Sequence, residues 1–164
     1  MISIDAGCGI NKRGDIGLDI VKTKSVDIIC NLEKIPLKDN CIDNIISEHV
    51  IEHIKNPYDT IREFHRILKE GGELHMGVPH AFTTGAYSID HKNYFTLRSL
   101  DYVINPSLSK QYSGINFVLK YRTLRFSGRF TKWLNPLVRL NPEIFERFLK
   151  MMPVEPDIVY VFRK

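Results

Sequence analysis

Short runs of apolar, mostly β-branched residues recur along the first half of the chain, at about 2–6, 15–20, 26–30, 42–48 and 73–78. Runs of this length bounded by Gly, Asp and Asn predict β-strands. Between the fourth and fifth runs the period changes. Ile61, Phe64, Ile67 and Leu68 recur at helical spacing, with Arg62, Glu63, Arg66 and Lys69 turned to water, which predicts a helix over 57–69. Asn56 can cap it, Pro57 suits its first position and Gly71-Gly72 is expected to end it. A shorter helix is expected from Thr96, with Leu97, Leu100 and Ile104 inward. Ile115 to Phe126 reads as a long strand, 142–152 as a helix and Ile158 to Phe162 as a last strand. That order predicts an α/β fold, a mostly parallel sheet finished by an antiparallel pair.

The connections are short. About eight residues separate the first two strands and about five the second and third. A parallel crossover normally needs a dozen or more and carries a helix, and five extended residues reach only roughly 17 Å. Both links must be nearly extended, so the sheet has a reduced helix complement on one face. Strands this apolar need that face covered, either by the C-terminal third folding back or by a second subunit; a homodimer is the expectation.

The first strand runs into a glycine turn, Ile2-Ser3-Ile4-Asp5-Ala6-Gly7-Cys8-Gly9, and the second ends in an acid, Ile16-Gly17-Leu18-Asp19-Ile20. Gly-x-Gly lets backbone approach a ligand closely, and an acid after the second strand accepts hydrogen bonds from ribose hydroxyls in nucleotide-type sites. The dinucleotide fingerprint fails here. The third glycine, Gly14, comes two positions late, Asn11-Lys12-Arg13 has no apolar face to open a helix, and Asp19 arrives early.

Asp5-Ala6-Gly7-Cys8-Gly9 resembles the first motif of class I S-adenosylmethionine-dependent methyltransferases, and later segments match in the same order. Leu32-Glu33-Lys34-Ile35-Pro36-Leu37-Lys38-Asp39-Asn40 is similar to the loop flanking adenine, and Ile42-Asp43-Asn44-Ile45-Ile46-Ser47 to the fourth strand. His49-Val50-Ile51-Glu52-His53 is similar to the segment after that strand, and Glu63-Phe64-His65-Arg66-Ile67-Leu68-Lys69-Glu70-Gly71-Gly72 to the helix and turn before the fifth. The likeness covers roughly residues 2–100 and points to the compact, type-11-like members. It implies a Rossmann-like sheet and S-adenosylmethionine as cofactor. Gly7, Cys8 and Gly9 would approach the methionine part, with Asp5 near its ammonium. Asp19 and Ile20 would flank the ribose, Asn31 and Leu32 the adenine, and Ser47, Glu48 and His49 the methyl-donor pocket. The family often has an acid where this chain has Asn31; an amide oxygen can still accept from the exocyclic amine.

His91, in Asp90-His91-Lys92-Asn93-Tyr94-Phe95 after the fifth strand, is the candidate general base, because an imidazole titrates near neutrality. Its plain alternative is a cap on the helix from Thr96. Tyr94 is a candidate for hydrogen-bonding the acceptor, and His49 for helping to activate it. If helical, His49, Glu52 and His53 share one face, and two imidazoles with a carboxylate are a known metal donor set, which His80 or His91 could complete. The plain reading of this pair is structural, and no metal ligand is assigned.

The 164 residues, 43% hydrophobic, fit a single domain, 1–164, with a cofactor-binding part at 1–95 and a basic covering part at 96–164. No apolar run reaches membrane-spanning length, the first strand begins at residue 2, and Cys8, Cys30 and Cys41 lack C-x-x-C spacing; a cytoplasmic protein with reduced thiols is expected. Residues 1–95 carry 11 Lys and Arg against 14 Asp and Glu, whereas 96–164 carry 12 against 5. Lys110, Lys120, Arg122, Arg125, Arg129, Lys132 and Arg139 occur from Tyr102 to Pro142 without an acid. This favours a small anionic or glycan-type acceptor and leaves open a nucleic acid. Interleaved with them, Phe126, Phe130, Trp133, Leu134, Leu137 and Val138 leave open peripheral membrane contact. Two rivals to the small-acceptor enzyme remain: a nucleic-acid methyltransferase and a non-catalytic scaffold.

Overall fold

The computed structural model describes residues 1–105, 107, 114–129, 131–151 and 154–164. One seven-stranded sheet organises it, in the order β3-β2-β1-β4-β5-β7-β6. The strands are β1 (Ser3–Ala6), β2 (Ile16–Asp19), β3 (Ile28–Ile29), β4 (Ile42–Glu48), β5 (Leu68–Pro79), β6 (Val118–Arg125) and β7 (Asp157–Arg163). β1 to β5 pair in parallel, and β7 runs antiparallel to both β5 and β6. The mostly parallel, Rossmann-like sheet with its antiparallel strand is therefore as the sequence implied. The α-helices among the described residues include α1 (Pro57–Ile67), α2 (Asp101–Ile104), α3 (Asn135–Leu140) and α4 (Pro142–Phe148).

Strand register sorts the side chains into two unlike faces. Ile16, Ile4, Ile45, Leu74 and Phe162 lie side by side across the sheet. All but the half-buried Ile16 are fully buried or nearly so. They form one core with Ile61, Phe64 and Ile67 of α1. The opposite face carries Asp5 and Gly17, then Asn44, Glu73 and Arg163 in register. It is the more polar of the two, and the chain itself covers its β1 end. Arg13 N donates to Asp5 Oδ2 at 2.7 Å, Asp15 N to Ser3 O at 3.0 Å, and a Cβ on Gly14 would stand 2.8 Å from the Ile4 carbonyl carbon. Neither link carries a helix, as expected, but both contain turns instead of running extended: Asn11 N donates to Cys8 O at 3.2 Å and Val26 N to Thr23 O at 3.4 Å. The helix-poor face is mixed, not uniformly apolar as read from the sequence: Ile46, His75, Val161 and Tyr121 share a row on it beside the polar residues.

Other boundaries move for local reasons. α1 ends at Ile67, before the Gly71-Gly72 expected to stop it, because Asn40 N and Cys41 N take the carbonyls of Arg66 and Ile67. Asn56 makes no side-chain cap. No helix starts at Thr96: Thr96 N donates to Ser99 Oγ and Ser99 N to Thr96 O, a hydroxyl-closed turn that delays the helix to Asp101. The long strand spans Val118–Arg125, and the expected helix at 142–152 is α4 followed by a 3-10 turn, Leu149–Met151; residue 152 lies outside the described residues. Among the described residues, no helix is long and apolar enough to cross a membrane.

Candidate active site

The strand order reverses between β1 and β4, and in open α/β sheets the crevice at such a point receives the ligand. Here the carboxyl ends of β1, β2 and β4 open onto a cavity of ≈ 260 Å³ lined by Gly7, Asp19, Ile20, Cys30, Asn31, Leu32, His49, Val50, His53 and Ile54. Of the residues named from the sequence, Gly7, Asp19, Ile20, Asn31, Leu32 and His49 line it. Cys30, Val50 and Ile54 were not assigned, and His53 was weighed only as a metal donor. Each follows a strand end already recognised, and the pattern alone does not say how far the wall continues.

Asp19 closes the glycine turn. Its Oδ2 accepts from Gly9 N and its Oδ1 from Val21 N, both at 2.9 Å. A carboxylate has about four acceptor sites, so two remain for ligand hydroxyls. Gly7 (φ +78°) and Gly9 (φ +53°) both occupy the left-handed region but for different reasons. A Cβ on Gly7 would meet Val50 Cγ2 at 2.3 Å, whereas one on Gly9 would have nothing within 4 Å. The sequence reading had both glycines clearing space for a ligand; Gly7 clears space for the protein.

Several candidates sit elsewhere. Asp5 is buried beneath the following loop on the Arg13 amide, and burial raises its pKa. Cys8 is buried against Ser25 O, its thiol pushed up by burial, which makes it a packing residue. Ser47 is buried with its hydroxyl unpartnered. Glu48 lies on the more polar sheet face, where Gly77 leaves it room and Arg125 binds both its oxygens, at 3.1 and 2.6 Å. None of these four lines the cavity. Asn31 Oδ1 already accepts from Glu33 N at 2.9 Å, so it offers adenine only a second lone pair.

His49 changes role. It is a non-glycine residue at φ +56°, a conformation that costs energy and occurs preferentially at functional sites. Its Nε2 is 3.5 Å from Asp157 Oδ1 and its Nδ1 3.3 Å from Glu52 Oε1. Held by Asp157 and then Glu52, its pKa rises to about 10. At neutral pH it is an imidazolium and offers no lone pair to a proton. With both ring nitrogens facing carboxylates, His49 is better suited to act as a cation in the cavity wall than as a base.

His91 does not cap a helix. Its Nδ1 is 3.1 Å from Ala86 O, and its ring meets that of His53 edge-on with centroids 4.6 Å apart. Tyr94 lines a separate cavity of ≈ 380 Å³ with Pro57, Tyr58, Lys92, Asn93 and Phe95. The turn after β4 divides the two cavities: His53 and Ile54 face one, and Asn93, bonded to the carbonyls of Ile51 and Ile54, lines the other. His80 is fully buried, with Nε2 2.9 Å from Glu146 Oε1 and Nδ1 accepting from Phe82 N. Within the basic segment Lys120 pairs with Glu73, Arg122 with Asp101 and Glu143, and Arg125 with Glu48 and Asp157. Much of that charge neutralises the protein's own acids. Lys110 and Phe130 lie outside the described residues.

Comparison with known proteins follows this geometry. Residues 16–76 match the family model described as a methyltransferase domain. A SAM-dependent methyltransferase from Archaeoglobus fulgidus superposes with a TM-score of 0.63 at 15% identity, over 99% of this chain and 85% of the other. One from Thermotoga maritima gives 0.61 at 18%, over 99% and 82%. The [4+2]-cyclase SpnF gives 0.62 at 16%, over 99% and 74%. No curated protein matches the chain. The likeness to class I S-adenosylmethionine-dependent methyltransferases thus holds both in the family model and in the fold, and it implies S-adenosylmethionine as the cofactor. The residues fit that group: open space above Gly9, a carboxylate with spare acceptors, and the apolar walls of Ile20, Leu32, Val50 and Ile54 for a flat base.

Proposed function

We propose that the chain transfers the methyl group of S-adenosylmethionine to an oxygen or nitrogen of a small anionic or glycan-type acceptor. The observation that carries this reading is Asp19 locked onto the Gly9 amide at the rim of an apolar cavity, where the strand order reverses. Asp19 would hold the ribose hydroxyls, with Ile20 and Leu32 against the nucleoside. Gly9 leaves the room that the methionine part needs. The bound donor supplies an electrophilic methyl on a sulfonium; the protein's work is to bind, align and exclude water.

We assign His91 and Tyr94 to the acceptor, of which Tyr94 lines the second cavity and His91 lines neither. With Nδ1 committed to Ala86 O, His91 keeps one ring nitrogen for the acceptor's activation. The second cavity supports the acceptor class. Tyr58 and Tyr94 offer aromatic faces to a sugar ring, and Lys92 a cation to a phosphate or carboxylate. The basic segment supports it less than its composition implied, since Lys120, Arg122 and Arg125 already have acidic partners.

Fold alone carries no activity, as the cyclase among the neighbours illustrates. The test is calorimetric titration with S-adenosylmethionine and S-adenosylhomocysteine, followed by a screen of glycan and metabolite extracts for labelled methyl transfer. Donor binding that Asp19→Ala abolishes is expected. Absence of heat from the intact chain refutes the reading.

A further inference from the structure

Glu52 is fully buried, and neither carboxylate oxygen has a hydrogen-bond partner. A buried carboxylate without such bonds is costly, and His49 Nδ1, 3.3 Å from Oε1, addresses only one oxygen. Around it, one ligand atom each from Glu52, His53 and His91 lie within 4.8 Å of one another. We propose that these three residues form a binding site for a divalent first-row transition ion such as Zn²⁺, Mn²⁺ or Co²⁺.

Two neutral imidazoles and one carboxylate suit such ions, and three protein ligands leave coordination positions open. Ligand atoms about 2.1 Å from a metal stand about 3–4 Å apart, so small rotamer adjustments close the cluster. His91 is already oriented as metal-bound histidines are: Nδ1, donating to the Ala86 carbonyl, leaves Nε2 as the lone-pair nitrogen. The sequence alone put His49 in the donor set and offered His80 as a completion. The geometry favours neither: His49 lies outside the cluster, with Nδ1 facing Glu52 Oε1 and Nε2 facing Asp157 Oδ1, and both nitrogens of His80 are engaged.

The site stands independently of the methyl-transfer reading, although His53 also lines the cavity assigned to the donor. It gives His91 a different task, since a lone pair given to an ion cannot also take a proton.

The experiment is titration of untagged, chelator-stripped protein with Zn²⁺, Mn²⁺ and Co²⁺ by calorimetry, with the Co²⁺ absorption spectrum as a second readout. One ion per chain is expected. His53→Ala and His91→Ala should each weaken it at least about tenfold, the loss that even an outer-shell partner produces, and His49→Ala should retain it. His91 is only half-buried, so its variant is expected to fold, which circular dichroism checks. No uptake, uptake indifferent to His91→Ala, or uptake lost in His49→Ala overturns the site. Because donor binding is measured separately with Asp19→Ala, failure here is distinguishable from failure of the transferase reading.

Discussion

Gly7 and Val50 are packed so closely that no side chain fits between them: a Cβ on Gly7 would lie 2.3 Å from one Val50 methyl and 2.8 Å from the other. Gly7 also holds φ +78°, which costs a residue with a side chain roughly 1–2 kcal/mol. Overpacking adds about 1–3 kcal/mol. Gly7→Ala should therefore lower unfolding stability by about 2–5 kcal/mol in urea melts. Gly9→Ala meets no protein atom within 4 Å and should lose only the conformational part. It should nevertheless impair donor binding in calorimetry, because the added methyl occupies the space left for the ligand. Equal losses of stability in the two variants would contradict the division of labour.

His49 gives the protein an alkaline dependence. Its folded pKa, about 10, lies above the ordinary value of about 6.5, so the protonated form is favoured by folding. That contribution is fully present below about pH 6.5 and fades as pH rises through about 10. Stability of the wild type should fall over that window, and His49→Gln should flatten the fall. In an NMR titration the His49 imidazole should remain protonated at pH 8; titration near 6.5 would restore its candidacy as a base.

The contrast between His49 and Asp19 shows what the sequence makes legible. Asp19 is positioned by residues close to it in the chain, a strand end and a glycine turn, so spacing alone located it. Asp157, one of the two partners of His49, and Arg125, the partner of Glu48, come from the C-terminal strands. Asp157 and Arg125 reach them only because β7 inserts antiparallel between β5 and β6, and Glu48 and Arg125 are 77 residues apart. No local pattern encodes that meeting. Asp5 illustrates the third case. Its place before the turn was readable, but its burial depends on the 10–15 loop folding over the helix-poor sheet face, which no local pattern encodes. The alternation of β1 and β2 also carried the information that one face is the more polar; reading the strands as uniformly apolar obscured it.

Glu146 tests the packing of the segment that the sequence described least. Its Oε1 accepts from Leu97 N at 2.7 Å and faces His80 Nε2 at 2.9 Å, joining α4 to the loops after β5. His80 Nδ1 accepts from Phe82 N, so its proton is on Nε2 and the ring is neutral. The join therefore needs an acceptor oxygen rather than a charge. Glu146→Gln supplies one and should change stability by less than about 1 kcal/mol. Glu146→Ala leaves two N–H groups facing no acceptor, each worth about 1–3 kcal/mol when buried. Glu146 itself is 20% exposed, and water can satisfy part of that loss, so about 2–4 kcal/mol is expected by urea unfolding. If Glu146→Gln proves as damaging as Glu146→Ala, the negative charge matters, His80 must be a cation, and the hydrogen-bond assignment around its ring is wrong.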